Sequence, residues 1–156
     1  VVDSSNAKEY QSFCQSVLKK YADKIVLPSD FLTSRDNQNI EIKNINDISE
    51  KDIGYDIGPK TIKRFEEEIK KAKRVVINGP MGIFEDKRFA HGTSEIFKVL
   101  DKNKIKTLVG GGDTASAANS LGYASSFYHI STGGGATLKY LEDGKLVGIE
   151  AIDDKE

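Results

Sequence analysis

Val75-Val76-Ile77-Asn78-Gly79-Pro80-Met81-Gly82-Ile83-Phe84-Glu85 is the stretch that decides the fold. Three consecutive apolar residues read as a short buried strand. A turn rich in Gly and Pro follows, with a carboxylate at its far end. The pattern recurs about thirty residues on, where Leu108-Val109 runs into Gly110-Gly111-Gly112-Asp113-Thr114 and then Ala115-Ser116-Ala117-Ala118. It recurs again at Ile130-Ser131-Thr132-Gly133-Gly134-Gly135-Ala136. Three strand ends that open into glycine loops predict an α/β fold with its loops gathered along one sheet edge. There, bare backbone N–H groups and helix N-termini can hold phosphate.

Working outward, residues 6 to 21 carry Tyr10, Phe13, Cys14, Val17, Leu18 and Tyr21 at the spacing of one helix face, which places Cys14 in a core stripe. Ile25-Val26-Leu27 reads as a strand ended by Pro28. Residues 33 to 40 read as a loop, and Ile40, Ile42 and Ile45 as an irregular strand. Pro59 suits the first turn of a helix whose buried stripe is Ile62, Phe65, Ile69 and Ala72. Glu66–Lys70 and Glu67–Lys71 form its solvated face. Strands follow near 74–77, 106–109 and 127–130. Helices follow around Ile96, Phe97 and Leu100, from about 114, and from about 134. Leu146 to Ile152 reads as a final strand or return segment. Alternating strands and helices predict one Rossmann-like, three-layer αβα domain with a mainly parallel sheet.

Composition bounds the function. The 156 residues suffice for one domain, and 23 basic against 24 acidic residues, net −1, give no electrostatic case for nucleic acid or an anionic membrane. The lone Cys14 cannot form an internal disulfide, which points to a reducing, cytoplasmic setting. No apolar run reaches the roughly 20 residues of a membrane span. His91 and His129 are too few and too isolated for a zinc site, and no nucleophile–base pair stands out.

The series GYDIGP at residues 54–59, NGPMGIFE at 78–85, GGGDTA at 110–115, HISTGGGA at 129–136 and VGIEA at 147–151 resembles phosphoglycerate kinase over nearly the whole chain. The resemblance is to the C-terminal part of that enzyme. It implies that residues 1–156 are the distal part of the nucleotide-binding domain, cut at the N-terminal edge of the sheet. The N-terminal domain of the same enzyme would be the missing partner. A start at Val1 rather than Met fits this expectation.

By the same resemblance, Asp113 reaches a nucleotide-bound Mg²⁺ and Thr114 a phosphate oxygen, beside Gly111 and Gly112. Glu85 binds ribose, Asn78 lies near the phosphates of ATP or ADP, and Gly79, Met81 and Phe84 help line the nucleoside pocket. Gly133, Gly134 and Gly135 stand near the transferred phosphoryl group. The residues alone leave plainer readings open: Asp113 and Thr114 as helix caps, Met81 and Phe84 as core, Glu85 as a turn charge, the glycines as turn geometry.

Two rival functions stand beside this one. Gly110-x-Gly112-x-x-Ala115 also fits a dinucleotide fingerprint. A nicotinamide-dependent oxidoreductase would then need an acidic residue about 20 positions on, where the chain has Ser131-Thr132-Gly133. The other rival is a binding or interaction module without turnover, since the family's three-carbon substrate site and its phosphate-binding lysine have no counterpart here.

Overall fold

The computed structural model describes residues 7–152. A helix, α1 (Ala7–Tyr21), precedes two sheets. The first is antiparallel, with β1 (Asp30–Ser34) between β2 (Glu41–Asn44) and β3 (Ile53–Ile57). The second is parallel, in the order β4 (Arg74–Asn78), β5 (Lys106–Gly110), β6 (His129–Ser131). Helices α2 (Pro59–Ile69), α3 (His91–Lys102), α4 (Gly112–Ser120), α5 (Gly134–Asp143) and the short α6 (Val147–Glu150) follow β3, β4, β5 and β6 in turn.

The three parallel strands and their helices match the sequence pattern because β4 and β5 carry short apolar runs stopped by Asn-Gly and Gly-Gly, and β6, His129-Ile130-Ser131, is stopped by Thr-Gly. Parallel pairing requires a crossover helix between neighbours, and α3 and α4 supply it. The main core lies between this sheet and its helices: Ile77, Ile96, Phe97, Leu100, Ile105, Val109, Ala117, Ala118 and Phe127. Phe97 sits edge-on to Phe127, centroids 5.1 Å apart, and to Tyr123 at 5.9 Å. Phe65 and Ile69 of α2 pack against this cluster from outside.

Several expectations require correction. The single mainly parallel sheet is two sheets of three strands each. The strand β3 is hidden in sequence by Gly54 and by Asp56, a buried carboxylate inside a strand. Residues 25–27 are not a strand; β1 starts after Pro28, at Asp30. The segment after Leu146 is helical, and its Val147, Ile149 and Ile152 are exposed. α1 forms as expected, yet Cys14 is exposed together with Tyr10 and Phe13, so the thiol is not in a core. On α2, Lys70 pairs with Glu66 as expected, but Lys71 takes Glu68 rather than Glu67.

The antiparallel sheet is joined to the helices by two buried aspartates. Asp30, at the start of β1, accepts from the amides of Lys60 (3.0 Å) and Thr61 (2.7 Å) in the first turn of α2, and from the Thr61 hydroxyl at 2.6 Å. It occupies the space a side chain on Gly58 would need. Asp56, on β3, accepts from the amide of Gly92 at 2.7 Å in the first turn of α3. Neither helix has a side-chain cap of its own at the capping position. The orphan amides of both helix starts are thus met from a distant strand.

Burial works against ionisation of Asp30, but the bonds from Thr61 and Lys60 outweigh it and hold its carboxyl below the ordinary value. Its contribution is therefore full above the ordinary carboxyl pKa and is lost as pH falls through the lowered one. Replacing Asp30 with Asn is expected to lower stability by about 1–2 kcal/mol at neutral pH. Urea denaturation should show the gap to the parent protein narrowing on acidification, because the parent then loses the charge that the variant lacks.

Candidate functional site

The strands of the parallel sheet end together. Asn78 stands opposite Gly110 in register, and Gly110 opposite Ser131. The three sequence loops therefore lie side by side, as expected. Side chains and backbone tie them to one another. The amide of Gly79 donates to the Thr114 hydroxyl at 2.7 Å. Asn78 Nδ2 donates to the Gly134 carbonyl at 3.2 Å, and the amide of Gly111 to the Ser131 carbonyl at 2.8 Å. A Cβ on Gly134 would come within 2.9 Å of the Gly111 Cα, so these two loops approach backbone to backbone. Gly79 and Gly111 have φ of +114° and +100°, which only glycine adopts without strain.

Two helices begin at this edge. α4 starts after Gly111 and α5 after Gly133, and neither N-terminus has a side-chain cap. Among the described residues, no bond from outside the helices occupies the amides of Gly112, Asp113, Thr114, Gly135 or Ala136. The amides of Gly133 and Gly134 are engaged locally, with Ser131 Oγ at 3.3 Å and the Thr132 carbonyl at 3.1 Å. Of the three loop glycines, Gly135 thus presents the open donor. Both helix starts carry the positive end of a macrodipole, which favours an anion in front of them.

Asp113 is exposed in the first turn of α4, not at its capping position. Its carboxylate enters no hydrogen bond or ion pair among the described residues, and these residues form no group of three or more protein ligands for a metal. A single carboxylate beside open helix starts could hold Mg²⁺, a cation usually bound by one or two carboxylates with waters and phosphate oxygens completing its shell. Thr114 is buried, and its hydroxyl is spent on Gly79 beneath the surface.

The turn after β4 runs outward from this edge. Met81 and Phe84 are half-buried and pack on the core cluster, whereas Glu85 is exposed. A cleft of about 550 Å³ opens along β4 and meets the site at Asn78, Gly79 and Met81, with Val75, Phe65 and Ile69 on its apolar wall. The amide of Met81 donates to the Thr93 hydroxyl at 3.0 Å, and that of Ile83 to the Tyr55 carbonyl at 3.1 Å.

Sequence reading passed over Thr93, Thr137 and Asp56. Thr137 Oγ1 donates to the Gly133 carbonyl at 2.9 Å and so fixes the loop before α5. A signal was available: Thr61, Thr93 and Thr114 each stand third in their helix, next to a glycine-containing approach. A hydroxyl there can take an amide from the loop passing over the helix start.

The family profile described as phosphoglycerate kinase matches residues 1–145. The chain is 46% identical over 146 residues to the phosphoglycerate kinase of Lactobacillus delbrueckii subsp. lactis, covering 92% of this chain and 36% of that protein. It is 46% identical over 147 residues to that of Finegoldia magna, covering 90% and 37%. Among solved structures, the phosphoglycerate kinase of Coxiella burnetii superposes with a TM-score of 0.78 at 28% identity, covering 90% of this chain and 37% of the other. That of Pyrococcus horikoshii gives 0.78 and 28%, covering 94% and 36%. The chain spans little more than a third of the length of these relatives. With a family match over residues 1–145, the chain belongs to the phosphoglycerate kinase family.

Proposed function

We propose that this chain is the nucleotide-holding part of a phosphoglycerate kinase, binding ADP or ATP with Mg²⁺ in a cytoplasmic, glycolytic enzyme. The observation that carries the reading is the pair of helix starts, α4 and α5, left without side-chain caps where three strand ends meet in register. The open amides of Gly112, Asp113 and Gly135 donate to phosphate oxygens. The close approach of Gly111 to Gly134 keeps side chains out of that space. Asn78 orients the α5 loop through the Gly134 carbonyl. Thr114 acts from below, holding Gly79 so that the turn stays open to a nucleoside. Met81 and Phe84 supply an apolar wall, and Glu85 accepts from ribose hydroxyls.

Mg²⁺, when bound, neutralises phosphate charge, and Asp113 is the residue that would hold it. In the reaction, a terminal phosphate oxygen of ADP forms a bond to the acyl-phosphate phosphorus of 1,3-bisphosphoglycerate. The bond from that phosphorus to the acyl oxygen breaks, and 3-phosphoglycerate leaves as a carboxylate with the electron pair. The protein's share of the catalysis is positioning and charge stabilisation. The three-carbon substrate falls to the N-terminal domain of the same enzyme, within the length of the relatives that this chain does not match.

Three outcomes test the reading. Asp113→Ala should weaken Mg-ADP about tenfold or more while leaving metal-free ADP nearly unchanged, as read by isothermal titration with and without Mg²⁺. Equal weakening in both titrations removes the metal role. Glu85→Ala should reduce the preference for ADP over an analogue lacking the ribose hydroxyls by about tenfold, the size of one charged hydrogen bond; an unchanged ratio leaves Glu85 a turn charge. The chain by itself should bind without turnover, because the second substrate has no domain to align it. A coupled assay with ATP and 3-phosphoglycerate checks this, and turnover at the rate of a whole enzyme would overturn the division of labour.

A further inference from the structure

The backbone of the turn after β4 is held at several points by other elements. Between Gly79 and Glu85, alternate amides are held from outside: Gly79 by Thr114, Met81 by Thr93 and Ile83 by the Tyr55 carbonyl. The last two anchors come from different elements, the first turn of α3 and the middle of β3. One buried side chain lies between them. Asp56, 2% exposed, follows Tyr55 in the chain and accepts from the amide of Gly92, the residue before Thr93, at 2.7 Å. Its other oxygen accepts from the amide of Ile57 at 2.8 Å.

The same carboxylate lies against the turn itself. A Cβ on Gly82 would come within 2.5 Å of Asp56 Oδ1 and of the Phe89 carbonyl, and one on Gly92 would also fall on Asp56. Both glycines are required by the carboxylate between them. Tyr55 stacks on Phe89 with centroids 4.5 Å apart, which closes the far side of the arrangement.

We propose that Asp56 is the positioning residue of the nucleoside turn, its carboxylate locking the end of β3, the first turn of α3 and Gly82 into one unit. The proposal rests on the nucleotide reading for its functional consequence and on geometry alone for its structural one. A buried carboxylate is costly to keep, and burial pushes the Asp56 carboxyl above the ordinary value, with the amides of Gly92 and Ile57 and the charge of His91 acting against that rise. A cap alone could be made by a serine or threonine at the start of α3, at far smaller cost. Two acceptor oxygens at this point serve two amides from different elements. Asparagine would turn an NH₂ group toward one of those amides, donor against donor.

The test uses Asp56→Ala and Asp56→Asn in this chain, with two measurements on each. Hydrogen exchange compares the amides of Met81 and Ile83 with that of Val109, which lies fully buried in the parallel sheet. Titration with Mg-ADP gives the affinity. In Asp56→Ala, exchange at Met81 and Ile83 should rise about tenfold relative to Val109, and Mg-ADP affinity should fall by a similar factor. Asp56→Asn, of nearly the same size, should move both readouts in the same direction by a smaller amount, and it decides the matter if the alanine variant does not fold. Exchange that rises equally at Val109, or not at all at Met81 and Ile83, overturns the proposal, because Asp56 would then be a general stabiliser or irrelevant to the turn. Should the parent chain bind no Mg-ADP, the nucleotide reading falls while the exchange arm still decides whether Asp56 positions the turn.

Discussion

A helix start leaves amides without intrahelical partners, and in this molecule the way each start is satisfied determines what the neighbouring loop can do. Three helices carry a buried threonine at their third position, and its hydroxyl takes an amide from a loop crossing above. Thr61 receives Ser29 and Asp30, Thr93 receives Met81, and Thr114 receives Gly79. Two of the three, α2 and α3, are closed further by Asp30 and Asp56 from the antiparallel sheet. The start of α4 has no such carboxylate, nor does that of α5, where Thr137 fixes the preceding loop instead. The same need is thus met by protein at two starts and left open at two, and the open pair lies along the edge where the strands end.

This division explains why the two sheets have different work. The parallel sheet brings three loops into register and keeps them there through the packing of Ile77, Val109 and the α3 residues Ile96, Phe97 and Leu100. The antiparallel sheet contributes no loop to the site. It holds the starts of α2 and α3 and, through the Tyr55 carbonyl, the turn after β4. Asp52 ties its far end together, taking Lys43 Nζ at 2.9 Å and the amide of Ser49 at 2.8 Å.

What the sequence made legible follows from the same physics. Val75-Val76-Ile77 and Leu108-Val109 are continuous apolar runs with unambiguous glycine stops, although burial of β4 is one-sided, with Ile77 in the core and Val76 exposed. Pro59 marks α2 because a first helical residue needs no amide. β3 was not legible: Gly54 and Asp56 break its apolar pattern, and the reason for the aspartate lies 36 residues away at Gly92. α1 teaches the converse. Its stripe of Tyr10, Phe13 and Leu18 correctly announces a helix, yet periodicity records a capacity to bury a face, and here the face is exposed. Of the candidate site residues, those in glycine loops were legible because bare backbone has a sequence signature. The tethers beneath them had none beyond a threonine at a repeated position.

The tethers also bear on how the chain assembles. Asp30 reaches Thr61 across 31 residues, Gly79 reaches Thr114 across 35, and Asn78 reaches Gly134 across 56. Each is a loop that must close before its bond returns anything, and closure entropy rises with the length enclosed. Helices α2 and α3 lack local side-chain caps, so their starts gain protein partners only when the strands carrying Asp30 and Asp56 are in place. The fold therefore rests on bonds between residues far apart in sequence, which form only when distant segments meet. The edge where the parallel strands end is closed by the longest of these spans, so its geometry depends on residues drawn from most of the chain's length.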